Sequence, residues 1–61
     1  MKKLRILLAD DHKMVREGLR LLIDSQPDMR VVGEAANGRE VVQLARELKP
    51  DVVVMDLSSR N

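Results

Sequence analysis

The sequence predicts an α/β fold in which a small parallel β-sheet carries helices on both faces. Apolar runs of strand length alternate with segments whose apolar residues recur at helical spacing, in the order βαβαβ. Two of the apolar runs end in carboxylates, which are Asp10, Asp11 and Asp56. No linker or repeat interrupts this order, so residues 1–61 are expected to form a single unit.

The first strand is predicted over residues 4–9, which are nearly continuous in apolar character. Such a run is typical of a parallel strand covered on both faces. A helix is predicted from about residue 12 to residue 24, with Asp11 as its N-cap. Its apolar stripe consists of Val15, Leu19, Leu22 and Ile23.

The second strand is predicted over residues 29–34, a short edge strand. Asn37-Gly38 resembles a hairpin turn, but Glu40 stands three residues after Asn37, as in a capping box. A helix is therefore predicted to begin at Asn37 and to run to about Lys49. Its apolar stripe consists of Val41, Leu44, Ala45 and Leu48.

Pro50 ends the second helix, and residues 52–55 form the third strand, followed by a loop over residues 56–61. Crossovers between parallel strands are right-handed. If strands 2 and 3 lie on opposite sides of strand 1, the two helices therefore lie on opposite faces of the sheet. The predicted strand order is 2-1-3, half of a flavodoxin-like doubly wound sheet, with the switch point between strands 1 and 3. The three aspartates meet at the carboxyl end of this switch point, where open α/β sheets place their ligands.

The acidic cluster is suited to magnesium, which prefers one or two carboxylates and completes its octahedron with water and phosphate oxygens. Asp11, Asp56 and a backbone carbonyl near Ser58 are candidate ligands, and Asp56 is a candidate nucleophile for phosphoryl transfer. The structural alternative remains open for each residue taken singly. Asp11 then only caps a helix, Asp10 only accepts backbone hydrogen bonds, and Asp56 only begins a turn.

Other polar residues are expected to be structural or solvated. His12 stands alone at a helix start, which favours an exposed side chain over a metal ligand. Gly18 either permits close packing or is merely tolerated. Solvated helix faces are expected for Arg16, Arg20, Arg39 and Arg46.

Composition excludes several classes of function. Eleven basic and ten acidic residues are mixed along the chain, which argues against nucleic-acid binding by this segment. The first apolar run is too short for a signal peptide or a membrane span, so a cytoplasmic chain is expected. There is no cysteine and therefore no disulfide or zinc-thiolate cluster.

Five segments together resemble the receiver domains of two-component response regulators, the CheY-like family. They are Leu-Leu-Ala-Asp-Asp-His at 7–12, Val-Arg-Glu-Gly-Leu at 15–19, Val-Val-Gly-Glu-Ala at 31–35, Asn-Gly at 37–38, and Lys-Pro-Asp-Val-Val-Val-Met-Asp-Leu at 49–57. The first two resemble the NarL/LuxR-type subgroup, whose members usually carry a DNA-binding domain after the receiver. The resemblance implies a signalling module in a transcriptional regulator, not an enzyme.

The resemblance also implies roles for individual residues. Asp56 is the phosphoacceptor, which a histidine kinase phosphorylates. Asp11 binds magnesium directly, Asp10 assists through the water shell of the metal, and Ser58 offers its backbone carbonyl.

Two departures from the family pattern bear on function. Ser59 and Arg60 replace a common methionine and proline after the phosphoacceptor. The chain also matches only the first half of a receiver, without an output domain, which predicts a bare edge on strand 3. We therefore expect a homodimer through that edge.

Two other classes of function compete with the signalling module. One is an inert, self-associating fragment that cannot be phosphorylated. The other is a phosphatase or nucleotide enzyme, which is disfavoured because Asp56-Leu57-Ser58 lacks a second acid and no Gly-x-Gly-x-x-Gly follows strand 1.

Overall fold

A computed structural model describes residues 2–56 of the chain. All five predicted elements are present in the predicted order. They are β1 (Leu4–Asp10), α1 (Lys13–Asp24), β2 (Met29–Ala35), α2 (Gly38–Leu48) and β3 (Val52–Asp56). Each strand extends one residue further than the sequence predicted, because the parallel pairing continues through Ala9 with Ala35 and through Asp10 with Asp56.

The three strands form one parallel sheet in the order β2-β1-β3, as predicted. The pairing of β1 with β2 shifts by one residue between Ile6 and Leu7, so that Ile6 lies opposite Val31 and Leu7 lies opposite Gly33. This irregularity leaves Val32 without a direct partner, as in a β-bulge.

The core is centred on β1, as its apolar run predicts. Residues 6–10 of β1 are buried, and Ala35 at the end of β2 is buried beside them. Both helices pack on β1 and β2 but do not touch each other. A Cβ added at Gly33 would lie 2.6 Å from Cδ1 of Leu48 in α2, whereas the next residue, Glu34, contacts Arg16 in α1. Since successive strand residues point to opposite faces, the helices cover opposite faces of the sheet.

Strand β3 is much less covered than the other two strands. Within residues 2–56, neither helix packs on it, and its only strand neighbour is β1. Val52, Val53 and Met55 are exposed, by 41%, 38% and 57% respectively. One edge of β3 and parts of both its faces are therefore open.

The start of α1 differs from the prediction. The N-cap residue is His12 rather than Asp11, and its side chain makes no capping hydrogen bond. The Asp10 carboxylate accepts the backbone N–H of His12 at 2.8 Å, so the turn before the helix is held by the residue two positions earlier. The Asp11 carboxylate instead faces the His12 ring.

Both ends of α2 are satisfied by side chains. Asn37 is the N-cap, as predicted, and its Oδ1 accepts the Glu40 N–H at 2.9 Å. Glu40 in turn accepts the N–H of Ala36, one residue before the cap, in a variant of the capping box. At the other end the Arg5 guanidinium donates to the carbonyls of Leu48 and Lys49.

Neither α1 nor α2, the helices found within residues 2–56, has the length and apolar character needed to cross a membrane.

Candidate acidic site at the carboxyl end of the sheet

Asp10, Asp11 and His12 form a compact group at the end of β1. Each offers one potential ligand atom, and these atoms all lie within 4.8 Å of one another. The Asp10 side chain is 1% exposed, whereas those of Asp11 and His12 are 34% and 65% exposed. One carboxylate is therefore buried in the sheet, and a second stands above it in contact with solvent.

The buried Asp10 carboxylate is held by the start of α1. Its Oδ1 accepts the His12 N–H at 2.8 Å and lies 3.6 Å from Nδ1 of the same residue. Burying a carboxylate is costly unless hydrogen bonds or charges compensate it. The backbone of the β1–α1 turn supplies part of that compensation and fixes the orientation of the carboxylate.

His12 lies closer to the acidic group than the sequence suggested. Its side chain is exposed, as expected, but its Nδ1 is 2.9 Å from Oδ1 of Asp11. The imidazole therefore partners the solvent-facing carboxylate. The adjacency of Asp11 and His12 in the chain is the signal for this contact, although adjacency alone does not fix the direction of either side chain.

Asp56 lies on the neighbouring strand. It stands opposite Asp10 in the parallel register of β1 and β3, so the two backbones are one strand spacing apart, about 4.8 Å. Its residue is exposed, and its carboxylate does not belong to the close group of Asp10, Asp11 and His12. The strand ends thus meet as predicted, while the functional roles of these aspartates stay predictions. Ser58, the remaining predicted metal ligand, lies outside the described residues.

Arg16 corrects an expectation based on the sequence. Instead of lying on a solvated helix face, its side chain is only 17% exposed. It donates to the backbone carbonyl of Asp10 at 2.7 Å and to Oε1 of Glu34 at 3.2 Å. Arg20 contacts the other oxygen of Glu34 at 3.4 Å but remains 57% exposed. Arg16 therefore ties the end of β1, the first half of α1 and the end of β2 together behind the acidic group.

The donor set is compatible with magnesium. Asp10 and Asp11 present anionic oxygens from adjacent residues, the ligand type that magnesium prefers. An imidazole suits zinc, copper or nickel better, and His12 is already in contact with Asp11. The carboxylates, rather than the imidazole, are therefore the residues that fit a magnesium ion.

An acidic group at the carboxyl end of a parallel sheet with strand order 2-1-3 defines a CheY-like class of small α/β protein. A sequence model described as "Response regulator receiver domain" matches residues 6–58. The chain belongs to the response regulator receiver family.

Individual relatives agree with this assignment. The chain is 57% identical over 54 residues to the transcriptional regulatory protein LiaR of Bacillus subtilis, covering 88% of this chain and 26% of that protein. It is 48% identical over 54 residues to the response regulator protein VraR of Staphylococcus aureus, covering 88% and 26%. The chain thus spans about a quarter of the length of these curated relatives.

Solved structures show the same fold. The response regulator domain of Thermotoga maritima CheB superposes with a TM-score of 0.91 at 50% identity, over 98% of this chain and 45% of that one. A LuxR-family response regulator from Aurantimonas superposes with a TM-score of 0.88 at 50% identity, over 98% and 43%. The predicted CheY-like fold and the resemblance to the LuxR-type subgroup are confirmed.

Proposed function

We propose that this chain is the phosphoacceptor part of a response regulator receiver and that Asp56 takes the phosphoryl group. The observation that carries the proposal is the register of β1 and β3, which sets Asp56 directly opposite the buried Asp10 and next to the Asp10-Asp11-His12 group. Asp56 is exposed, so a phosphodonor can reach it from solvent.

In the proposed step, an Asp56 carboxylate oxygen attacks the phosphorus of a phosphohistidine on a histidine kinase. A P–O bond forms as the P–N bond breaks, and the departing imidazole keeps the electron pair and takes up a proton. Asp10, Asp11 and Asp56, with the Ser58 carbonyl, would hold magnesium, which supplies positive charge to offset the repulsion between the carboxylates and the incoming phosphoryl group. Arg16 fixes the Asp10 backbone, and the His12 N–H orients the Asp10 carboxylate.

The setting of this step is also a proposal. LiaR is named a transcriptional regulatory protein and VraR a response regulator protein, so we infer that the whole protein controls transcription in the cytoplasm in response to a histidine kinase. The 61 residues correspond to about the first half of a receiver, an inference supported by their coverage of 45% and 43% of the solved chains. The mixed charges of this segment disfavour a direct contact with DNA.

An inert fragment is the second candidate function, and two observations favour it. Within residues 2–56, β3 is covered by neither helix, and the Asp56 carboxylate stands outside the close acidic group. A nucleophile that is not held close to the metal ligands receives little rate enhancement from them.

Mass spectrometry separates the two candidates. The chain is incubated with magnesium and a small phosphodonor such as phosphoramidate, and the intact mass is measured. We expect one added phosphoryl group, which is absent from Asp56→Asn and retained in Asp28→Asn, a matched acid-to-amide control at an exposed residue between α1 and β2. A folded chain that gains no phosphoryl mass would establish the inert fragment.

A further inference from the structure

We propose that Asp51 is a positioning residue for Asp56, because its contacts with Arg5 set the register of β3 on β1. In the observed register Asp56 lies opposite Asp10. The role given to Asp56 rests on the proposed function, whereas the register of β3 is a property of the fold and is tested separately.

Asp51 stands just before β3 and occupies both backbone groups of Arg5. Its Oδ2 accepts the Arg5 N–H at 2.8 Å, and its own N–H donates to the Arg5 carbonyl at 2.8 Å. At the other edge of β1, the Leu4 N–H donates to the backbone carbonyl of Asp28. A backbone carbonyl therefore joins β1 to the residue before β2, whereas a carboxylate joins β1 to the residue before β3.

The side chain of Arg5 holds the segment that leads into β3. Its guanidinium donates to the carbonyls of Leu48 at 2.6 Å and Lys49 at 2.8 Å. Only Pro50 separates Lys49 from Asp51. The end of α2 and the start of β3 are thus attached to the same residue of β1, and this short connection restricts sliding of β3 along β1.

The side chains of β3 select its register poorly. Register normally follows from the alternation of apolar and polar residues or from the geometry of the adjoining turn. Residues 52–55 are all apolar, and three of them are valine, so apolar residues lie on both faces of the strand. A slip by two residues would keep each side chain on its face and would put Val54 in the place of Val52. The turn that contains Asp51 is therefore the feature that can specify the register.

A change of register would displace Asp56 from the acidic group. A slip by two residues moves it about 6.6 Å along β1. Magnesium ligands lie only about 2.1 Å from the ion, so a displaced Asp56 could not share an ion with Asp11. Asp51 itself is five positions from Asp56, about 16 Å along an extended strand, and is too distant to be a ligand. Asp51 therefore acts on the site through the register of β3.

Cross-strand disulfides measure the register directly, because the chain has no cysteine of its own. Ala9 lies opposite Met55, and neighbouring strands are about 4.8 Å apart, within the Cα range for a disulfide. Ala9→Cys with Met55→Cys thus reports the observed register. Ala9→Cys with Val53→Cys reports the slip by two residues, since these Cα atoms are about 8 Å apart in the observed register and too far to join. Intact mass under mild oxidation measures the internal link as the loss of two hydrogen atoms.

With Asp51 present, we expect the pair for the observed register to link at least about tenfold faster than the slipped pair. Asp51→Ala removes the acceptor and is expected to reduce this preference to less than about threefold. Asp51→Asn keeps an oxygen acceptor and should restore it. Asp51→Glu, which moves the carboxylate by one methylene, is a second test and should also lower the preference.

Asp28→Ala is the matched control, because it removes an exposed carboxylate but keeps the backbone carbonyl that Leu4 uses. Circular dichroism restricts the comparison to folded variants. A preference that is the same with Asp51, Asp51→Ala and Asp51→Glu would overturn the proposal, and so would an equal loss in Asp28→Ala.

Magnesium affinity links the register to the acidic site. Urea titrations with and without magnesium are expected to show that Asp51→Ala raises the dissociation constant at least about fivefold, while Asp51→Asn leaves it nearly unchanged. Phosphoryl uptake per folded chain should follow the same order. A variant that loses the disulfide preference but keeps full magnesium affinity would overturn the positioning role. If the chain with Asp51 takes up no phosphoryl group, the proposed function fails, whereas the disulfide preference still decides whether Asp51 sets the register.

Discussion

At the scale of single residues, Arg16 in α1 joins the end of β1 to the end of β2. Its guanidinium contacts the Asp10 carbonyl and the Glu34 carboxylate from within a largely covered site. Hydrogen bonds to charged groups contribute about 1.5–3 kcal/mol when neither partner is well solvated. Arg20 contacts the same carboxylate at greater distance and exposure, and exposed ion pairs contribute about 0–1 kcal/mol.

Arg16→Met is therefore expected to lower the free energy of unfolding by about 1–3 kcal/mol, because Glu34 and the Asp10 carbonyl both lose a donor. Arg20→Met, the matched control, should cost less than about 1 kcal/mol. Urea titrations followed by far-ultraviolet circular dichroism measure both, since the chain has no aromatic residue for fluorescence. Equal losses in the two variants would show that Arg16 is no more than a surface charge.

Two glycines are expected to respond in opposite ways to alanine. A Cβ at Gly33 would meet Leu48 at 2.6 Å and Leu7 at 3.3 Å, so Gly33→Ala should lower the free energy of unfolding by about 1–3 kcal/mol through overpacking. Gly18 has open space around it and an ordinary negative φ within α1. Gly18→Ala should raise stability by about 0.5–1 kcal/mol. The same urea titrations test the pair, and a stabilising Gly33→Ala would show that Leu48 moves aside freely.

At the scale of elements, α2 is held at both ends by contacts of different origin. Its N-cap, Asn37, is local in sequence, whereas the Arg5 guanidinium that meets its last carbonyls comes from β1. A cation at a helix C-terminus also interacts favourably with the helix dipole. Lys49 ends the helix in the left-handed conformation at φ 49°, after which Pro50 prevents its continuation.

Asn37→Ala is expected to cost about 1 kcal/mol of stability, because the Glu40 N–H loses its acceptor at the start of α2. Asn37→Ser keeps an acceptor at that position and should recover most of the loss. Thermal unfolding followed by circular dichroism measures both variants. An Asn37→Ser variant as unstable as Asn37→Ala would indicate that the amide group matters for a reason other than capping.

At the scale of the whole molecule, the sheet order brings together acids that are distant in sequence. The register places Asp56 beside Asp10, although 46 positions separate them in the chain. A ligand that binds this arrangement and not the unfolded chain must stabilise the fold. Magnesium binding therefore has a readout that is independent of phosphorylation.

Magnesium at 100 times its dissociation constant is expected to raise the free energy of unfolding by about 2.7 kcal/mol. Asp11→Asn removes a charged oxygen of the proposed magnesium site and should abolish most of this increment, whereas the exposed control Asp28→Asn should retain it. Urea titrations with and without magnesium give the increments. If Asp11→Asn keeps the full increment, Asp11 is not a metal ligand.

Much of this architecture follows from patterns within single segments. The continuous apolar character of residues 4–9 predicts a covered strand, and the Asn37–Glu40 spacing predicts a helix start. Both patterns are readable because strand character and capping depend on residues that are close in sequence. Right-handed crossover then restricts how the strands can be ordered. The five elements were predictable for these reasons, and the 2-1-3 sheet with its meeting strand ends followed on the condition that strands 2 and 3 lie on opposite sides of strand 1.

Other features were decided only when distant segments packed together. The sequence predicted Asp11 as the N-cap of α1, whereas in the fold the Asp10 carboxylate, buried at the end of β1, accepts the His12 N–H and holds the turn. The sequence predicted an exposed side chain for Arg16. In the fold, β2 places Glu34 beside it, although the two residues are 18 positions apart in sequence. Sequence patterns thus determined the elements and their order, whereas side-chain partners and solvent exposure at the acidic site depended on distances that exist only in the folded sheet.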